Sequence, residues 1–257
     1  MTGTLDPKPG VARLAEGGSP GRGPVVQDLP RGSVARGSVV RQLMLKDWRL
    51  QRIQIFGSIV GGLIALAVVA RATEVSVVVG SVLFFIAIIL VGTMLPLVSI
   101  VNERKKQNLA FLMSLPVSSI QYTTSKLVSC TGMFLIPWVA LVAAAVLMID
   151  LRGFPHGVIP LMLILAMLPW VGFAIITAAA LIGESEGWGI LANVVVQCSY
   201  GLTWFFVARV PEVMKYNNSP VVVWSAADLK ILGTEFAIIP VLLGVTYFVQ
   251  SRKRDFI

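Results

Sequence analysis

Apolar and polar positions alternate along this chain in blocks rather than residue by residue. Six apolar blocks, near residues 53–70, 75–101, 127–149, 157–182, 187–208 and 231–250, are long enough to cross a bilayer, which takes about 20 predominantly apolar residues. Pro96, Pro137, Pro160, Pro169 and Pro240 fall inside these blocks, so neighbouring helices or water must satisfy the carbonyls they free. The pattern predicts an all-α polytopic membrane protein with six transmembrane helices. Residues 1–37 hold eight Gly and five Pro without apolar periodicity and read as a disordered tail. Residues 38–257 form the membrane domain.

Composition agrees with the pattern. The chain has 257 residues, 56% apolar and 13% charged, and a mean hydropathy of +0.83. Soluble domains carry roughly 25% charged residues. Six spans place both termini on one side. The segments on that side hold nine, four and three Lys and Arg, sixteen in all, against five on the other. The positive-inside bias therefore puts both termini in the cytosol of a cell membrane. The formal net charge of +8 faces the same way and suits anionic inner-leaflet lipid. Residues 1–52 carry one aromatic, Trp48, and no recognition fold, which excludes nucleic acid as a partner.

Between spans two and three lies a polar insert, Glu103-Arg104-Lys105-Lys106-Gln107-Asn108-Leu109-Ala110-Phe111-Leu112-Met113-Ser114-Leu115-Pro116-Val117-Ser118, closed by Lys126. Glu103 at a helix start favours the macrodipole. Leu109, Leu112 and Met113 recur at helical spacing, and Pro116 disfavours helix at Leu115. The expected product is a short helix on the membrane surface that docks a soluble partner. Before span one, Val40, Leu43, Met44 and Trp48 fall near one helical face, with Arg41, Arg49 and Arg52 largely away from it. That pattern predicts an interfacial helix.

These two segments together resemble ABC transporter permeases of the type-two exporter family. There, a charged stretch opening with Glu leads through a Ser-Leu-Pro-Val-Ser-like turn to a Lys at the foot of the next span, as Glu103, Arg104, Leu112, Ser114, Leu115, Pro116, Val117, Ser118 and Lys126 do here. An N-terminal elbow helix with a Lys-Asp pair is matched by Met44, Lys46, Asp47, Trp48 and Arg49. The resemblance implies a cytoplasmic coupling helix at residues 103–118. It also implies two separate ATP-binding subunits holding ATP and Mg, and a second permease copy as homo- or heterodimer. The exported substrate would be lipophilic or amphipathic. The short acidic turn 183–187 would make a smaller contact with the ATPase.

Other features leave alternatives open. Asn193, Gln197 and Gly201 recur at four-residue spacing in span five beside Tyr200 and Trp204, and suit helix packing, a pathway or a dimer interface. Gly57 and Gly61 form a GxxxG pair, a close-packing face that could equally serve a pathway or a dimer interface. Glu235 is expected at the outer headgroup level. Cys130 and Cys198 read as small buried thiols, and His156 as a loop residue. No metal site is expected, since one His stands without a Cys cluster. No GxxxxGK[ST] motif occurs, so the chain holds no ATP as a P-loop protein does and is expected not to be an enzyme. The other classes open are an ion- or proton-coupled carrier, whose mark would be paired ionisable groups within spans, and a non-transporting membrane anchor or assembly factor.

Overall fold

The computed structural model describes residues 36–101, 119–183 and 185–252. Side chains are described from Leu45 on, with those of Val101 and residues 119–122 also outside the description. The first 35 residues and the coupling segment 103–118 therefore lie outside the described residues, as does Glu184. Among the described residues there is no strand. The helices are α1 (Arg36–Val69), α2 (Glu74–Pro96), α3 (Ser119–Arg152), α4 (Val158–Ile182), α5 (Glu186–Val207), the short α6 (Pro211–Met214) and α7 (Ala226–Arg252). All except α6 are long and apolar enough to cross a membrane, which makes this a multi-pass membrane protein.

Two boundaries differ from the sequence expectation for physical reasons. Helix α1 runs without a break from Arg36 through the first span, so residues 39–52 do not form a separate interfacial helix. After Gly37 this stretch has no Pro or Gly until Gly57, and nothing in it stops helical hydrogen bonding. Helix α7 starts at Ala226 rather than 231. Ser225 and Asp228 form a reciprocal cap: the Ser225 N–H donates to Asp228 Oδ2 at 2.9 Å, and the Asp228 N–H donates to Ser225 Oγ at 3.1 Å. Thr73 and Ser76 cap α2 in the same manner.

Helix α4 is the centre of the arrangement. Among the described residues it has no titratable side chain, and it packs against α2, α5 and α7. Helices α1, α2 and α3 form the other extensive contacts. The main core joins Ile55, Ala65 and Leu66 of α1, Phe84, Ile88, Val91 and Leu95 of α2, Met133, Phe134 and Leu141 of α3, and Phe173 of α4. Phe134 stacks on Phe173 with centroids 4.9 Å apart. The Trp138 and Trp170 rings meet edge-on at 5.0 Å. The Trp138 indole N–H donates to the Ala166 carbonyl at 2.7 Å, beside the Leu165 carbonyl that Pro169 leaves without its helical donor.

Helix α2 ends at Pro96 and continues as a π-helical turn, Leu97–Val101. This end of the molecule, with the starts of α1 and α3, is called basal below. At the opposite end the turn 153–157 docks on 216–220. The Gly157 N–H donates to the Ser219 carbonyl at 3.0 Å, and a Cβ at 157 would overlap the Tyr216 carbonyl oxygen. His156 sits in this turn with Nε2 3.3 Å from Asp150 Oδ1 and Nδ1 3.0 Å from the Pro220 carbonyl.

Close helix approach is carried by glycines other than the GxxxG pair. A Cβ at Gly80 would lie 2.8 Å from both Ala65 O and Val69 N, so α1 and α2 touch backbone to backbone there. A Cβ at Gly57 or Gly61 would meet nothing within 4 Å, so within the described chain no neighbouring helix takes up this pair. Gly80→Ala should therefore lower stability by roughly 1–3 kcal/mol, the usual range for overpacking. Gly57→Ala and Gly61→Ala should be neutral or slightly stabilising. Thermal unfolding of the three variants in one detergent would check this, and equal losses in all three would contradict it.

A buried ion pair at the base as candidate functional site

The basal ends of three elements converge on one lysine. Lys126, in the second turn of α3, is 1% exposed, and Asp47 on α1 is 3% exposed. The Lys126 ammonium donates to Asp47 Oδ1 at 3.0 Å, to Asp47 Oδ2 at 2.9 Å and to Ser99 Oγ at 3.2 Å. Ser99 belongs to the π-helical turn and is itself buried. An ammonium has three protons to donate, and three acceptor atoms surround it here.

Local sequence explains the convergence. On α1 the buried stripe runs Asp47, Gln51, Ile55, one residue per four, so a polar base continues directly into the apolar core. On α3 the buried residues Thr123, Ser125, Lys126 and Ser129 lie below Cys130, Met133 and Phe134. A helix that carries a charge into a buried layer needs a counter-charge, because desolvating an isolated ion costs many kcal/mol. The π-helical turn supplies the third ligand. Pro96 disrupts regular hydrogen bonding at the end of α2, and the wider turn that follows brings Ser99 inward.

The residues singled out from sequence fall into three groups. Glu103, Arg104, Leu112, Ser114, Leu115, Pro116, Val117 and Ser118 lie outside the described residues. Lys126 and Asp47, drawn from two separate segments, are brought into direct contact. Lys46 and Arg49 are exposed on α1, Trp48 packs at the edge of the main core, and Met44 lies within α1.

The polar positions of α5 divide. Asn193 lies between Gly189 and Val196 on the face turned to α4, and Tyr200 fits against Gly172, where a side chain would collide with its hydroxyl. Gln197 and Gly201 are exposed on the outer side. The stripe is thus shared between packing and an open face.

One expectation is corrected: Cys198 is exposed rather than buried, while Cys130 is buried. Glu235 is 7% exposed and lies between Leu232 and Ile239, which pack on α4, so protein encloses its side chain. Its Oε2 has no hydrogen-bond partner among the described residues, nor have Trp170 Nε1 and Tyr200 Oη. Sequence reasoning missed Ser99 and Gln51. The spacing Asp47-Gln51-Ile55, which carries a polar stripe straight into an apolar one, is the signal that was available for Gln51.

Removing one partner of a buried pair strands the other charge. Lys126→Met should destabilise by about 3–5 kcal/mol, whereas the double variant Asp47→Leu/Lys126→Met should recover most of that loss. A double-mutant cycle on thermal unfolding in micelles measures the coupling. Additive losses would mean that the pair is not the joint described here.

Comparison with protein-family models, with curated proteins and with solved structures returned no match to this chain.

Proposed function

We propose that this chain is the membrane-spanning permease subunit of an ATP-driven ABC exporter, coupled through residues 103–118 to a separate ATP-binding subunit. The observation that carries the reading is the Lys126–Asp47–Ser99 node. The coupling segment follows the π-helical turn that holds Ser99, and it leads into the helix that holds Lys126. The two elements that flank the segment are thus bonded to each other through Lys126 and Ser99, and Lys126 ties α3 to α1 through Asp47. A push on the segment would move α1, α2 and α3 as a set.

In this reading the ATPase docks in the cytosol, where the excess of Lys and Arg also lies. ATP and Mg belong to the two partner subunits. A second permease copy pairs along the outer face of α5, where Gln197 and Gly201 are exposed among Trp188, Leu191, Val194, Leu202 and Phe206. The resemblance points to a lipophilic or amphipathic substrate. Leu115→Asp places a charge in the apolar docking turn. It should abolish co-purification of a P-loop ATPase while the protein still inserts and resists unfolding. Undiminished ATPase recovery with that variant would overturn the docking assignment.

A second reading is an ion-coupled carrier without an ATPase. The observations that favour it are the Asp47–Lys126 pair, which lies within two candidate spans, and the enclosed carboxyl of Glu235. Affinity purification at native expression separates the two. A stoichiometric ATPase supports the permease, and recovery of this chain alone supports the carrier.

A further inference from the structure

The turn between α3 and α4 folds back on the helix it leaves. Gly153 takes a φ of +68°, which glycine reaches without strain. The Gly153 N–H donates to the Asp150 carbonyl at 3.3 Å and the Phe154 N–H to the Ile149 carbonyl at 3.1 Å, the paired bonds of a Schellman end. This reversal returns His156 to the last turn of α3, with Nε2 3.3 Å from Asp150 Oδ1. The turn also meets the connector between α6 and α7. There the Gly157 N–H donates to the Ser219 carbonyl at 3.0 Å, and His156 Nδ1 lies 3.0 Å from the Pro220 carbonyl. A bond from the Ser219 N–H to the Tyr216 carbonyl, at 2.9 Å, holds the connector in its own turn.

Both ring nitrogens of His156 therefore face oxygens that only accept. A neutral imidazole has one N–H and one lone pair. With the proton on Nδ1, the Pro220 carbonyl is satisfied and the Nε2 lone pair faces a carboxylate oxygen. With the proton on Nε2, the conflict moves to the Pro220 carbonyl. Only the imidazolium donates to both, and its bond to the carboxylate is charge-assisted. The charged and titratable groups around the ring are few. The end of α3 brings Asp150 and the exposed Arg152, and the connector brings Lys215 and Tyr216, with Lys215 Nζ 5.1 Å from the Tyr216 ring centroid. Helix α4 brings none among the described residues. His156 and Asp150 are 36% and 72% exposed, so the ring takes its proton from the surrounding solution.

We propose that His156 is a proton-operated latch that fastens the turn 153–157 to the connector 216–220 at the end of the molecule opposite the base. The proton completes the latch, so the docked arrangement is tightest in acid and loosens as pH rises through the range, about 5 to 8, in which imidazole changes charge. The connector runs on to Ser225, which caps α7, so the latch governs how the start of α7 is held beside that of α4. The coupling segment enters at the other end, and the latch is independent of the ATPase reading.

The chain has a single histidine, so ¹⁵N-histidine labelling of the full-length protein, carried on a histidine-free tag in nanodiscs, gives one imidazole spectrum. At the alkaline end of that range the Nδ1–H tautomer should dominate, and at the acid end both nitrogens should be protonated. Hydrogen exchange over residues 154–158, corrected for intrinsic rate, should be slower in acid by about two- to fivefold, the worth of an exposed ion pair. Asp150→Asn offers the ring an N–H in place of a carboxylate oxygen and should abolish that pH dependence, as should His156→Gln. A dominant Nε2–H tautomer, equal protection at both ends of the range, or a pH dependence that survives both variants would overturn the proposal. Protection that rises at the alkaline end only when zinc is added, and is insensitive to acid without it, would also overturn it and assign the gap between Nε2 and Oδ1 to a metal ion.

Discussion

The ammonium of Lys126 held by the two carboxylate oxygens of Asp47 and the hydroxyl of Ser99 constrains everything around it. Two opposite charges almost without solvent exposure are tolerable only while they remain together. The pair therefore fixes the register of α1 against α3, and Ser99 fixes the π-helical turn that ends α2. Above this layer the buried faces of the same helices turn apolar, and Ile55, Leu95 and Phe134 begin the main core. A buried ion pair adds little net stability over an apolar substitute of equal volume, so its value lies in position. It joins three helices at the end where the polar insert leaves and re-enters the domain.

The six spans were legible because each has a long apolar run and because loop charge separates them. The beginnings of helices were less legible. The caps at Thr73 and Ser225 are short polar patterns, Thr-Glu-Val-Ser and Ser-Ala-Ala-Asp, that a hydropathy window averages away. The unbroken course of α1 through residues 39–52 was hidden for another reason. Those residues form an amphipathic pattern that suits a surface helix as well as the first turns of a packed one. What distinguishes them is the burial of Asp47 and Gln51, and that depends on Lys126, 79 positions from Asp47 along the chain. Lys126 and Asp47 were each singled out, but nothing local in the sequence pairs them. At Gly57 and Gly61 a GxxxG spacing marks a possible approach and does not say which neighbour takes it; within the described chain none does. The residues that do permit approach, Gly80 and Gly172, have no such signature.

The distribution of burial among the spans bears on function. Helix α4 is the most enclosed, whereas α5 and α7 present long apolar faces outward. Yet the enclosed side of α7 carries Asp228, Glu235, Thr246 and Gln250. Gln250 Nε2 donates to the Leu181 carbonyl, and Thr246 Oγ1 to the Leu242 carbonyl at 2.7 Å. A spanning helix that is polar inside and apolar outside is solvated by lipid on one face and by its own protein on the other. The arrangement separates a basal ion-pair joint, beside the insert between spans two and three, from the outward apolar faces of α5 and α7.

The most direct measurement is photo-crosslinking from position 112 in intact membranes at native expression, with the adduct identified by mass spectrometry. Leu112 recurs with Leu109 and Met113 at helical spacing in the sequence and, on this account, faces the docked ATPase. The account predicts an adduct with a soluble P-loop ATPase. Adducts formed only with lipid or with this chain itself would contradict it.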